Sequence, residues 1–462
     1  MSGNGAVPLE LGTEKIGKLL SKYAIPAIIA MTASSLYNMV DSIFIGHGVG
    51  PLAISGLAVT FPLMNLSTAF GTLVGVGAST MLSILLGQKN YAAANKVLGN
   101  IVSLNLIIGL SFTAVALIFL DPILYFFGAS EGTIFYAHEY MEIILFGNAI
   151  SHVYFGLNSA MRSSGNPKMA MGLTLFTVIF NTILDPIMIF WFDFGIRGAA
   201  WATVISQTIA MIIILAHFSS RKRFLHFEKG IIRLDVRVAK DSMAIGFGPF
   251  LMHSAACMVT LFINQQMKKY FGDLGIGAYG ICNRLTFMFI MICMGLNQGM
   301  QPIAGYNFGA RNYSRVKKVF WMSAKLATVI TTACFVMSMF MPQYATAIFT
   351  HDIELKEMAS KGLRLMNMAA PIIGFQMIAT NLFQCLGMVH KSIFLSLARQ
   401  ILCLIPLLYL MPICFGPYGV WCSFPIADTI SSILTIILLA DLLKKFSRLK
   451  DGDEPAGLGS KI

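Results

Sequence analysis

Two aspartates, Asp41 and Asp185, lie in stretches that are otherwise apolar enough to cross a membrane. Asp41 ends an apolar run that begins at Tyr23, and Asp185 lies inside the run 180–188. A carboxylate at bilayer depth costs roughly 2.5–3.5 kcal/mol to insert, so it usually faces a cavity or an ion path. Two such residues in the first half of the chain indicate a protein that moves ions together with another solute.

Further oxygen atoms accompany the two carboxylates. Asn181 lies four positions before Asp185, so on a helix their side chains stack one turn apart. Thr203, early in the next apolar run, adds a hydroxyl at a similar predicted depth. These oxygens suit a small cation such as Na⁺, and a proton on one carboxylate is an equal alternative, because desolvation and a neighbouring carboxylate both favour the protonated acid. The predicted cation-coupling site, for H⁺ or Na⁺, consists of Asp41, Asn181, Asp185 and Thr203.

Other polar residues and prolines in apolar runs point to a substrate path. Tyr37, Asn38 and Asp41 share one face of the first predicted helix, so Tyr37 and Asn38 are expected to line a cavity. Arg284 needs a partner or a wet cavity at its predicted depth, which indicates a cavity or gating role. Prolines remove a backbone donor, and two of them mark sites where a helix can bend. They are Pro26 and Pro186.

Composition places the chain in the membrane. Of its 462 residues, 56% are hydrophobic and 12% are charged, whereas a soluble domain has about 25% charged residues. The net charge of +12 does not indicate nucleic-acid binding, because the basic residues fall mainly in short loops between apolar runs. The eight cysteines lie inside apolar runs without CxxC spacing, which predicts unpaired thiols without a metal.

Apolar runs of about 20 residues or more can be placed twelve times. The connections between them alternate in basic content, and both ends of the chain fall on the basic side. The positive-inside rule therefore predicts a multi-pass protein of the plasma (cytoplasmic) membrane with both termini in the cytoplasm.

The two halves of the chain resemble each other. The segment Gly87-Gln88-Lys89-Asn90-Tyr91 matches Gly309-Ala310-Arg311-Asn312-Tyr313, 222 positions later, and glycine pairs repeat at nearly the same offset. A repeat that begins after six spans keeps its orientation, so the halves are expected to relate by an axis along the membrane normal. The predicted fold is an all-α integral membrane protein with twelve transmembrane helices in two six-helix bundles related by a pseudo-two-fold axis. The predicted boundaries are 1–14 for a cytoplasmic tail, 15–218 for the N-terminal bundle, 219–240 for a basic linker, 241–445 for the C-terminal bundle and 446–462 for a second cytoplasmic tail.

The repeat also serves as an internal control. At its offset, Asp41 falls near Ile263 and Asn264, and Asp185 falls at Pro406 or Leu407. The second half keeps the scaffold and lacks these carboxylates. Ion coupling is therefore expected in the N-terminal bundle alone.

Several motifs together resemble the multidrug and toxic compound extrusion (MATE) family, over nearly all of the chain. They are the run 37–46 with Pro26, the segment 87–90, the segment 162–168, the run 181–186 and the segment 299–310. The resemblance implies an antiporter that exports cationic, amphiphilic drug-like compounds against inward Na⁺ or H⁺ flow. It assigns the cation site to Asp41, Asn181, Asp185 and Thr203, the cavity lining to Tyr37 and Asn158, and helix bending to Pro26.

The chain departs from one branch of the MATE family. That branch has acidic residues in the seventh and tenth helices, whereas residues 249–257 and 371–377 contain no carboxylate. This departure argues against a sodium site in the second bundle.

Two other classes of protein remain as alternatives. A lipid-linked oligosaccharide flippase of the same broad architecture needs a more cationic cavity, for which Arg284 and Arg399 are the obvious candidates. An intramembrane enzyme or receptor is disfavoured because HExxH and GxSxG motifs are absent. We expect no catalytic residues and no cofactor beyond the coupling ion. The expected partners are small organic cations or drugs and the lipid bilayer, without nucleic acid, for a monomeric protein.

Overall fold

The computed structural model describes residues 10–221, 223–227, 234–350 and 352–454, without the side chains at 38, 39, 43, 46, 47, 51 and 273. Parts of the predicted linker and of both predicted tails therefore lie outside the described residues. Six long helices form the first half of the chain: α1 (Ile16–Gly48), α2 (Pro51–Gly87), α3 (Tyr91–Ile118), α4 (Ile134–Ser163), α5 (Pro167–Pro186, continued by a π-helical turn at Ile187–Trp191) and α6 (Gly195–Ser219).

Six more long helices form the second half. Short helices at Leu120–Phe126 and Pro342–Ala347 follow the third helix of each half. The long helices are α7 (Val236–Gly272), α8 (Leu274–Gly309), α9 (Tyr313–Phe340), α10 (Ile353–Met366 and Ala370–Cys385), α11 (Val389–Leu397, a π-helical stretch at Ala398–Leu404, and Ile405–Phe415) and α12 (Gly419–Arg448).

The twelve predicted crossings correspond to these twelve helices. By length and hydropathy, nine stretches of the described chain qualify as membrane spans, and the bent pair of segments in α10 makes a tenth. One qualifying stretch, Val389–Arg448, contains both α11 and α12, which separate at Gly416, where φ is 65°. The remaining helix, α4, is too polar to qualify. It packs against α2, α3, α5 and α6, so its polar side chains contact protein rather than lipid.

The described residues form two compact units, and the division falls inside two helices. The first unit holds Ile29–His253, and the second holds Lys15–Ile28 with residues 254–454. Helix α1 therefore begins in the second unit and ends in the first, whereas α7 begins in the first unit and ends in the second. The predicted boundaries of the duplicated halves, 15–218 and 241–445, stay a prediction.

Glycines allow close backbone contact inside each unit. In the first unit, a Cβ atom on Gly77 of α2 would overlap the backbone carbonyl of Ser242 of α7. In the second unit, a Cβ atom on Gly299 of α8 would lie 2.5 Å from the Cα atom of Ala24 of α1. Small residues let membrane helices approach this closely. The repeated glycines at 77 and 299 thus mark equivalent helix contacts in the two halves.

Each half also packs an aromatic ring from near the end of its sixth helix against the start of its third helix. The Tyr91 ring lies 4.7 Å from the Phe224 ring, and the Tyr313 ring lies 5.4 Å from the Phe446 ring, measured between centroids. Both members of the second pair lie 222 positions after those of the first. Phe224 of the linker and Phe446 in the last turn of α12 therefore pack on equivalent helix starts.

The two helix starts are capped differently. In the first half, the side chain of Asn90 accepts a hydrogen bond from the backbone nitrogen of Ala93, at 3.2 Å. In the second half, Asn312 makes no such bond, and Asp451 of the tail accepts one from the backbone nitrogen of Ser314, at 2.9 Å, and another from the Ser314 hydroxyl. The tail carboxylate thus takes the N-cap role at the start of α9.

The capping bonds predict that the tail undocks in acid. The hydroxyl of Ser314, together with backbone amides and Lys317, holds the pKa of Asp451 below its usual value. A lowered pKa in the folded state stabilises docking above the unfolded value of about 4, and this contribution is lost as the pH falls through the lowered pKa. Asp451→Ala should remove both acceptors at neutral pH and speed proteolysis of the tail about two- to fivefold, as expected for loss of a cap worth roughly 0.5–1 kcal/mol.

A matched control is available in the same tail. Glu454 pairs with Arg311 at 3.4 Å, but its side chain is largely exposed, so Glu454→Gln should leave the proteolysis rate almost unchanged. The anisotropy of a dye on the C-terminus, followed across pH, checks the titration. Equal proteolysis of wild type and Asp451→Ala would show that the cap does not hold the tail.

Candidate cation site

The four residues predicted to bind the coupling ion all lie in the first unit, on α1, α5 and α6. The exposed fraction of the side chain is 5% for Asp41, 2% for Asn181 and 0% for Asp185, and Thr203 is half-buried. Asp41 and Asp185 are near enough for their charges to interact. The structure therefore brings together residues that are up to 162 positions apart in the chain.

A hydroxyl connects the three helices. Thr203 Oγ1 forms a hydrogen bond of 2.9 Å with the Tyr37 hydroxyl on α1, and it accepts one of 3.1 Å from Asn181 Nδ2 on α5. Because Asn181 uses its amide nitrogen for this bond, its carbonyl oxygen remains available to another partner. The bonds fix the orientation of the polar side chains around the two carboxylates.

Four buried oxygen atoms of this group have no donor among the described residues. They are one carboxylate oxygen of Asp41, both carboxylate oxygens of Asp185 and the side-chain carbonyl of Asn181. A buried ionised carboxylate without a partner costs several kcal/mol, so a group of this kind needs a proton or a bound cation. The arrangement offers oxygen acceptors alone, which is the ligand chemistry of H⁺ or a hard cation.

The sequence around Asp185 explains its position. Pro186 has no N–H group, and the helix changes from α to π hydrogen bonding directly after it, at Ile187–Trp191. Asp185 therefore lies at the end of the α-helical part, one turn beyond Asn181. π-Helical turns of this kind are frequent at functional sites.

The other proline is accommodated without a break. Pro26 is buried, and α1 runs through it as one helix from Ile16 to Gly48. The helix lacks one backbone hydrogen bond at this proline. Bending at Pro26 stays a prediction.

The four residues predicted to line a cavity have separate environments. Tyr37 joins the hydrogen bonds of the cation site, and the side chain of Asn38 lies outside the described residues. Asn158 on α4 donates to the backbone oxygen of Ala170 at 3.0 Å and accepts from Arg162 at 2.5 Å, so it fastens α4 to α5. Arg284 on α8 is exposed and has no carboxylate partner among the residues described.

Sequence reasoning missed one residue of the site. Tyr140 on α4 is buried, with 2% of its side chain exposed, and it lies within electrostatic range of both carboxylates. No spacing rule connects it to Asp41 or Asp185, because it belongs to a different helix. Only the packing of α4 at the centre of the first unit brings it there.

Within the described ranges, no three His, Cys, Asp or Glu side chains converge as a metal site. A Na⁺ site at Asp41, Asn181, Asp185 and Thr203 would differ from such a metal site, because two of its four residues would bind through amide and hydroxyl oxygens.

Comparison with known proteins identifies the family. The sequence profile of the MatE family matches residues 26–187 and 249–410, which are segments of equal length, 223 positions apart. The chain belongs to the MatE family. The two matches of the MatE profile also agree with the internal repeat.

Relatives of the MatE chain extend over almost its whole length. The multidrug export protein MepA of Staphylococcus haemolyticus is 28% identical over 432 residues, which cover 94% of this chain and 95% of that protein. A structure described as the outward-facing conformation of a multidrug resistance MATE family transporter of the MOP superfamily is 23% identical. It covers 96% of this chain and 100% of its own, with a TM-score of 0.89.

A second solved structure has a similar fold but is described as having a different binding pocket. It is a MOP superfamily transporter from Pyrococcus furiosus, 22% identical, with a TM-score of 0.88 and coverage of 96% of this chain and 100% of its own. It is described as having a binding pocket of reverse polarity that suggests a different function. These likenesses confirm the predicted all-α, two-bundle membrane fold. The matched proteins are transporters, which sets aside the enzyme or receptor alternative.

Proposed function

We propose that this MatE protein is a secondary active exporter of organic cations and amphiphiles. It exchanges them for H⁺ or Na⁺ across the plasma membrane, with both termini in the cytoplasm. The four buried oxygens of Asp41, Asn181 and Asp185 that lack a donor are the observation that supports this proposal most strongly. The similarity to the staphylococcal export protein supports the choice of substrate class.

The proposed coupling follows from the buried oxygens that have no hydrogen-bond donor among the described residues. When a cation or proton occupies the site, it neutralises carboxylates that would otherwise lie buried and unpaired. When the ion leaves, the two carboxylates repel each other and need water or a cationic substrate nearby. A ligand shifts a conformational equilibrium only by its differential affinity for the two states. The buried carboxylates supply such a difference, because their ionised forms are stable only in a conformation that hydrates them.

A substitution at Thr203 tests which of the two ions, Na⁺ or H⁺, is the coupling ion. Its oxygen would be a ligand to Na⁺, whereas a proton would reside on a carboxylate and need no such ligand. Thr203→Val should therefore lower the apparent Na⁺ affinity about tenfold in a Na⁺-coupled protein, as expected for the loss of a charge-assisted contact of roughly 1.5 kcal/mol. In an H⁺-coupled protein the pH dependence of transport should change little. Initial rates of efflux at varied Na⁺ and varied pH make the measurement.

Thr208→Val is the matched control for this substitution. Thr208 lies on the same helix, and its hydroxyl bonds to the backbone oxygen of Val204 in its own helix, at 2.6 Å. This variant should behave as wild type under both conditions. An equal effect of the two substitutions would show that Thr203 acts only through the stability of α6.

Expression in cells that lack their own exporters tests the function itself. Cells that make the protein should accumulate less of a fluorescent organic cation such as ethidium, and an ionophore that collapses the driving gradient should abolish the difference. The flippase alternative predicts unchanged ethidium and accumulation of lipid-linked precursor when the gene is deleted. It has less support because Asp428 offsets the charge of Arg399, one of its two candidate cations, so the pair offers less positive charge than a pyrophosphate group needs.

A further inference from the structure

A buried ion pair lies in the second unit, on helices that correspond to α5 and α6 of the first. Arg399 on α11 donates from Nε to a carboxylate oxygen of Asp428 on α12, at 2.5 Å. The exposed fraction of the side chain is 4% for Asp428 and 33% for Arg399. The carboxylate is thus enclosed, while the guanidinium remains partly accessible.

The Arg399 guanidinium has hydrogen-bond donors that the Asp428 contact does not use. Among the described residues, only its Nε atom has an acceptor, so both Nη groups are left for another partner. Arg399 lies ten positions into α11, roughly 15 Å from its start, and the bond to Asp428 keeps the charge at this depth instead of at the membrane surface. Arginine at such depth faces a bundle interior or a water-filled cavity.

The repeat shows that the fold does not require this pair. The equivalent positions in the first half, 222 residues earlier, are Thr177 and Ser206. The Thr177 hydroxyl donates to the backbone oxygen of Thr174, and the Ser206 hydroxyl donates to the backbone oxygen of Ala202, each at 2.7 Å and within its own helix. Helices α5 and α6 are joined one turn away by the neutral hydrogen bond between Asn181 and Thr203. A neutral bond is therefore enough to join these helices, and a charge pair between α11 and α12 needs another explanation.

The local backbone adds an independent observation. Arg399 belongs to the π-helical stretch Ala398–Leu404, and the π-helical turn of the first unit directly follows the buried carboxylate Asp185 and Pro186. In each half, the fifth long helix changes its hydrogen bonding beside its charged residue. π-Helical turns inside α-helices are frequent at functional sites.

The geometry points to Arg399, held by Asp428, as a subsite for the anionic group of a zwitterionic amphiphile. The planar guanidinium pairs with carboxylates through parallel N–H bonds, and its Nη groups are the donors left for this contact. Asp428 offsets the charge of the empty subsite, so organic cations without an anionic group are not repelled. This inference rests on the proposed function and extends it to a substrate class.

Direct binding tests the subsite independently of ion-driven transport. The probes are rhodamine B, a zwitterion at neutral pH, and its ethyl ester, a cation with the same ring system. Replacing both partners together, as Arg399→Met with Asp428→Leu, avoids a lone buried charge and keeps the volume similar. Binding to the purified full-length protein is followed by fluorescence. We expect the double variant to bind rhodamine B about tenfold more weakly and the ester within twofold of wild type.

A second ion pair between the same two helices supplies the control. Lys391 on α11 bonds Asp441 on α12 at 3.1 Å, nearer to the helix ends, and the Asp441 carboxylate is more exposed than that of Asp428. Lys391→Met with Asp441→Leu should alter the binding of neither dye. If the Arg399 and Asp428 substitutions weaken the binding of both dyes equally, the pair has a structural role and the inference is overturned. Unchanged binding of rhodamine B to the double variant would also overturn it, and so would a wild-type protein that binds neither dye. If the double variant distinguishes the two dyes as expected but the wild-type protein transports neither dye when an ion gradient is imposed, only the proposed function is contradicted.

Discussion

Asp185→Asn should abolish uphill export while leaving downhill movement of substrate through the protein. Asp185 is fully buried, and neither of its oxygens has a donor among the described residues, so its ionised form depends on a bound cation or proton. Asparagine has similar volume but carries no charge and takes up no proton, so it has no charge for a bound ion to neutralise. Coupling free energies between two ligands are about 1–3 kcal/mol, so loss of coupling should lower the substrate gradient that the protein maintains roughly 5- to 150-fold.

The measurement compares accumulation of ethidium in cells with exchange of labelled ethidium at equal concentrations across vesicle membranes. Asp193→Asn is the matched control, because Asp193 follows the same helix, is exposed and has a φ angle of 53°, which asparagine accepts readily. This control should export as wild type. Full export by Asp185→Asn, at normal protein levels, would exclude Asp185 as a coupling residue.

Gly77→Ala should destabilise the protein strongly. The new methyl group would overlap the backbone carbonyl of Ser242, and a backbone cannot rotate away as a side chain can. Overpacking in a closely packed interior typically costs about 1–3 kcal/mol, and here α2 and α7 would also have to separate. The midpoint of thermal unfolding in detergent should fall by several degrees, with a lower yield of folded protein.

Gly172→Ala isolates this clash from the general effect of alanine in a helix. Gly172 lies on α5, and a Cβ atom there would meet nothing within 4 Å. Because alanine favours helix by roughly 0.5–1 kcal/mol over glycine, this variant should be as stable as wild type or slightly more stable. Unfolding midpoints that agree between the two variants would mean that α2 and α7 do not approach as closely as the structure indicates.

The sequence predicted the fold class and the residues of the cation site because both depend on local patterns. Apolar runs predict spans, the spacing of Asn181 and Asp185 predicts a shared helix face, and the 222-residue offset predicts a duplicated scaffold. The structure brings Asp41, Asn181, Asp185 and Thr203 into one unit, as expected. Their function as a coupling site stays a prediction.

What the sequence could not reveal depends on contacts between helices. Tyr140 and the pairing of Arg399 with Asp428 follow from packing, for which the chain has no periodic signal. Hydropathy also fails for α4, because a helix surrounded by protein tolerates polar residues that lipid would not. The division of α1 and α7 between two units has the same origin, since the prolines near it, Pro26 and Pro249, predict bends and not a change of unit.

Purified protein in liposomes, with a pH gradient and a Na⁺ gradient imposed separately, tests the central claim most directly. The wild type should accumulate ethidium against its gradient when one of the two ion gradients is present. The double variant Asp41→Asn with Asp185→Asn should respond to neither gradient while still exchanging ethidium at equal concentrations. Ion-driven accumulation by the double variant at the wild-type rate would show that the coupling ion binds elsewhere, and the account of the first unit would be wrong.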